Sequence, residues 1–72
     1  MKTNSNLLKS KLVALGYKDC TAAISEILGI SYGAASKKLN NKSEFKQSEI
    51  AILAMKLGLN ADEIASIFIG DD

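Results

Sequence analysis

The side chains best equipped for recognition in this chain are bunched into one short stretch: Ser31, Tyr32, Ser36, Lys37, Lys38, Asn40 and Lys42. Hydroxyls, an amide and ammonium groups at this spacing can donate hydrogen bonds and hold anions. They do not amount to an acid, a base and a nucleophile. The 72 residues include no His, which removes the commonest general base, and the single Cys20 has no His to take its proton. One cysteine also excludes an internal disulfide, and without His the usual zinc spacings cannot be written. The expectation is a protein that acts by binding: no enzyme activity, no cofactor, no metal. For Cys20 the simplest role is that of a small buried hydrophobe.

A pair of short helices must position those side chains. Ile24, Ile27 and Leu28 are spaced for one face of a helix over about 21–28, with Asp19 or Thr21 as its N-cap. Gly29 supplies a left-handed residue that ends it, and Ile30 drops toward the core. Ser31 then caps a second helix over about 31–39. Helix, glycine-containing turn, helix is the layout of the helix-turn-helix motif, whose second helix is built to lie in the DNA major groove.

The remaining segments also read as helices. Asn4, Ser5 or Asn6 can cap a helix over about 5–15 that buries Leu8, Leu12 and Leu15 and stops at Gly16. Leu7 and Val13 lie off that stripe, so this helix either buries two faces or leaves apolar surface for a partner. Phe45 anchors the polar loop 41–46 at the core edge. A fourth helix over about 47–57 carries Ile50, Leu53, Ala54 and Leu57 at the i, i+3, i+4, i+7 positions, with Ile52 and Met55 on a second face. Asn60 to Glu63 reads as a capping box for a fifth helix over about 61–69 that buries Ile64, Ile67 and Phe68, before an acidic end at Gly70-Asp71-Asp72. No stretch alternates as a strand does and proline is absent, so the expected class is all-α: one five-helix domain, residues 1–72.

Charge is distributed unevenly. Residues 1–46 hold eight Lys against Asp19, Glu26 and Glu44, a balance of +5, whereas residues 47–72 hold Lys56 against five carboxylates, a balance of −4. Such polarity orients a domain toward an anionic or oppositely polarised partner. All nine basic residues are Lys, so the best bidentate reader of guanine is missing. The longest apolar run, Ile50 to Met55, is far short of the roughly 18 residues of a membrane span. The first six residues lack a signal peptide's apolar core, and a cytoplasmic setting is expected.

Five helices with helix-turn-helix as the second and third resemble the Cro/repressor-type (XRE-like) family, the lambda-repressor-like DNA-binding domains of phages and bacteria. Leu28-Gly29-Ile30-Ser31, then Ser36 through Phe45, with Ser48-Glu49-Ile50 following, are most similar to the small Cro-like modulators of repression of lactococcal temperate phages. The likeness covers nearly the whole chain. It implies a regulator of the lysis–lysogeny switch that pairs, in the bacterial cytoplasm, with the cognate phage repressor. The departures are Ala35 where relatives carry a bulky β-branched residue, Lys46 where they carry a capping Thr or Ser, and a longer link between the first two helices.

Two readings of helix 31–39 follow. Gly33 and Ala34 offer nothing to a base edge, and Gly33 costs about 1 kcal/mol of helix propensity, so a close approach should exploit it. In the first reading the helix meets a protein: Tyr32 is the apolar anchor at Gly33, and Ser31, Ser36, Lys37, Lys38 and Asn40 form a polar rim. The domain is then an antirepressor that docks on the repressor's DNA-binding domain and blocks or alters its operator contacts. In the alternative it is a Cro-like repressor that binds operator DNA itself. Thr21, Ser31, Tyr32, Ser36, Lys37, Lys38 and Lys42 would then lie at the phosphates, with Lys37 and Asn40 reading bases.

Overall fold

Side-chain acceptors start four of the five helices. Asn4 Oδ1 accepts the Leu7 N–H at 3.1 Å and opens α1, Ser5–Ala14. Asp19 Oδ1 accepts the Ala22 N–H at 3.1 Å and opens α2, Cys20–Leu28. Ser31 Oγ accepts the Ala34 N–H at 3.1 Å and opens α3, Tyr32–Leu39. Each satisfies one of the amide donors that a helix N-terminus leaves without a partner. Before α4, Gln47–Leu57, stands Lys46, whose ammonium can only donate; here just the reciprocal half of a capping box forms, the Lys46 N–H donating to Glu49 Oε1 at 2.8 Å. Asn60 and Glu63 make both halves of theirs, at 2.8 and 2.9 Å, and open α5, Ala61–Ile64.

The computed structural model describes residues 2–69, and all regular structure among them is helical. The expected acidic end, Gly70-Asp71-Asp72, lies outside the described residues. The α2 helix packs on α3 and on α4, while α1 lies against α2 and the last helical turn. Leu8, Leu12, Ile24, Leu53 and Ile67 are the largest fully buried side chains, closed in by Ala35, Leu39, Phe45, Leu57 and Phe68. Burial of each large aliphatic stabilises by about 1.5–3 kcal/mol. Phe45 plugs the core edge as its sequence context implies, meeting Phe68 edge-to-face at 5.4 Å between centroids. Cys20 is half-buried against the core rather than fully inside it.

Two expectations about helix ends are corrected. Leu15 does not join the stripe of Leu8 and Leu12; it is 50% exposed, because α1 ends at Ala14 and Gly16, at φ +98°, turns the chain. Tyr17 takes the place against the core, with its N–H donating to the Leu12 carbonyl at 3.1 Å. The fifth helix is not α-helical to residue 69: after Ile64 it widens into a π-helical stretch, Ala65–Ile69. More residues per turn bring consecutive side chains closer in direction, and Ile67 and Phe68 both point inward while Ile69 stays exposed.

Candidate functional site

The turn between α2 and α3 is fixed by main chain and side chain together. Gly29 sits at φ +68°, where a Cβ would be strained, and its N–H and that of Ile30 both reach the Ser25 carbonyl. The Ser25 hydroxyl donates back to the Ile30 carbonyl at 2.6 Å. Ile30, half-buried against the core, pulls the turn inward and sets Ser31 at the start of α3. This is the helix-turn-helix that the spacing of Gly29 and Ser31 implies.

In an eight-residue helix, positions three and four apart share a face. Ala35 and Leu39 are buried, so Gly33, Lys37 and Asn40 turn outward, with Ser36 half-covered among them; Tyr32, the first residue of α3, is also exposed although it stands three before Ala35. Tyr32 is 56% exposed, yet it is not loose: its hydroxyl donates to Asp19 Oδ2 at 3.3 Å, on the carboxylate that caps α2. The ring is thus tethered at its polar end and open along its apolar body. An added Cβ on Gly33 would meet nothing within 4 Å, and its backbone is ordinary helix. Among the described residues no crossing uses this glycine. Ser31 has its hydroxyl committed to the cap, and Ser36 Oγ accepts from Asn40 Nδ2 at 3.3 Å.

Lys38 is the clear correction. Assigned by sequence to the polar rim and to phosphate contact, it is instead buried, with only 8% of the residue exposed. Its Nζ pairs with Glu49 Oε1 at 3.0 Å, donates to the Glu44 carbonyl at 3.0 Å and lies 5.8 Å from the centre of the Phe45 ring. Position 38 is three residues past buried Ala35, so the helical period itself carried the signal. Glu49 is held below the ordinary carboxylate range. Burial is the largest single influence and works against ionisation, but the Lys46 N–H, the Lys38 hydrogen bond and the charges of Lys38 and Lys46 together outweigh it. At the start of α5 the Asn60 N–H, then the Lys11 ammonium at 2.9 Å, lower Glu63 similarly.

Of the remaining DNA-side candidates, Lys42 is exposed in the turn after α3 and Thr21 is half-buried in the first turn of α2. The outward face of α3 therefore brings together Tyr32, Gly33, Ser36, Lys37 and Asn40, with Ser31 at its N-terminal edge, and leaves Lys38 out. Leu7, Val13, Ile52, Met55 and Ile69 are all at least 40% exposed, on faces of α1, α4 and the C-terminal turn. Among the described residues, no group of three or more His, Cys, Asp or Glu is arranged to hold a metal ion, and no helix is long and apolar enough to cross a membrane.

No curated protein and no solved structure matches the chain. A protein-family model does: the BetR domain matches residues 5–68, from the first residue of α1 to Phe68. The five helices and the site on α3 all lie within that match, and the chain belongs to the BetR domain family, a small regulatory domain of the phage type.

Proposed function

We propose that this domain is an antirepressor of a phage lysis–lysogeny switch. It binds the DNA-binding domain of the cognate repressor in the host cytoplasm through the outward face of α3 and blocks or alters operator binding. The observation that carries this reading is the make-up of that face. Tyr32 presents a half-open, tethered ring beside an uncrowded Gly33, while Lys38, one of only two lysines on the helix, is turned into the fold. A rigid aromatic next to small residues is the composition of a protein–protein anchor.

Magnitudes point the same way. A good bidentate contact discriminates by about 1–3 kcal/mol per base, and specific sites typically need about 4–10 kcal/mol over non-specific DNA. Only Lys37 and Asn40 remain to read bases, and the Asn40 amide already donates to Ser36. The Cro-like alternative keeps Lys37, Lys42 and Thr21 as phosphate contacts, which position without specifying. The role requires binding alone, without catalysis, cofactor or metal.

The test is a titration of the operator region with this protein, with and without the cognate repressor, over a range of salt. Relief of repressor binding by the protein, lost in Tyr32→Ala, is the expected result. Tight sequence-specific binding by the protein alone, falling steeply with salt, overturns the antirepressor reading in favour of the Cro-like one.

A further inference from the structure

We propose that Asn41 is a positioning residue for the outward face of α3, acting through the segment that precedes α1. The proposal rests on the reading of that face as the partner-binding surface. Asn41 follows the end of α3 at φ +61°, a left-handed conformation for which glycine is the cheapest residue. Its amide gives a reason for asparagine instead. Oδ1 accepts the Thr3 N–H at 2.9 Å, and Nδ2 donates to the Thr3 carbonyl at 3.1 Å and to Ser5 Oγ at 3.4 Å. The side chain thereby satisfies both main-chain groups of one residue, as a neighbouring strand would.

The segment so held is itself anchored. Thr3 is 8% exposed, the Asn4 N–H donates to the Ile67 carbonyl at 2.7 Å, and the Ser5 hydroxyl donates to the Leu39 carbonyl at the end of α3. Residues 3–5 thus strap the C-terminal end of α3 to the last helical turn of the domain. An isolated helix of eight residues has little stability of its own in water. The N-terminal end of α3 is held by the Ser31 cap and the Tyr32–Asp19 hydrogen bond, and its C-terminal end by this strap. A binding face frayed at one end must be ordered on docking, and that ordering weakens the complex. Asn41 spares the complex that cost by holding Lys37 and Asn40 in register with Tyr32.

The test compares Asn41→Gly, which keeps the backbone conformation and removes the amide, with Ser5→Ala on the strap side. Leu57→Val serves as a control destabilised elsewhere in the core. Amide hydrogen exchange of Asn40 and Lys42, whose N–H groups close the end of α3, is read alongside affinity for the repressor's DNA-binding domain, at a temperature where every variant is fully folded. Expected are about tenfold faster exchange and about tenfold weaker binding for Asn41→Gly, the scale of one or two neutral hydrogen bonds, with smaller effects in the same direction for Ser5→Ala. The control should lose thermal stability and keep its affinity. Unchanged exchange at Asn40 and Lys42 overturns the proposal, as does an equal loss of binding in the control. If the unmodified protein does not bind the repressor, the antirepressor reading fails, and the exchange rates alone decide whether the clamp exists.

Discussion

Lys38→Met separates two accounts of one lysine. An exposed phosphate contact can be replaced with almost no effect on stability. A lysine locked as Lys38 is cannot, because Glu49 stays behind. The two side chains are only 11% and 13% exposed, and the Nζ–Oε1 distance is 3.0 Å. Breaking a fully buried pair costs about 3–5 kcal/mol and a surface pair about 0–1 kcal/mol. A pair about seven-eighths covered falls between them, and methionine keeps the apolar stem packed against Phe45, so we expect a loss of about 2 kcal/mol. For a domain of this size that lowers Tm by roughly 8–16 °C. Thermal and urea unfolding followed by circular dichroism would measure it, and a cycle with Glu49→Gln should return about 1 kcal/mol or more of coupling. The pH dependence gives a second check. Because the folded Glu49 is held below its ordinary value of 4.5, its contribution is fully present above that pH and is lost as pH falls through the lower folded value. Lys38→Met should flatten this acid limb, leaving the part due to the Lys46 N–H. A Tm within about 3 °C of the unmodified protein, with a salt-dependent loss of DNA affinity, would refute the reasoning.

Two further outcomes follow from the helix geometry. Gly33→Ala should stabilise the domain by about 0.5–1 kcal/mol, since the added methyl meets nothing and the backbone is helical; calorimetry reads the gain, and repressor binding should fall as the methyl intrudes between the helices. Asn60→Ala removes the acceptor that starts α5 and should cost about 1 kcal/mol in urea unfolding, without changing affinity at the face of α3.

Much of the fold is legible locally. The i, i+3, i+4 spacing of Ile50, Leu53, Ala54 and Leu57, the caps at Asp19, Ser31 and Asn60, and the stop at Gly29 each depend on residues within one or two turns, and all five features stand in the structure. The candidate site was legible to the same depth. Gly33, Lys37 and Asn40 turn outward because Ala35 and Leu39 turn inward, whereas the exposure of Tyr32 at the start of α3 does not follow from that period. The charge of Lys38 points to solvent while its spacing from Ala35 points inward, and the partner that makes burial tolerable, Glu49, stands on another helix.

By itself, then, the sequence determined five helices, where three of them start and stop, and that α3 is poor in base-reading side chains. These follow from short-range backbone hydrogen bonding and the helical period. Tertiary structure alone decided that Lys38 pairs with Glu49 of another helix, that Leu15 faces solvent, that the last turn widens after Ile64, and that Thr3 meets Asn41 across 38 positions of chain. Such pairings depend on which helix ends the packed core brings together, and no local spacing encodes that.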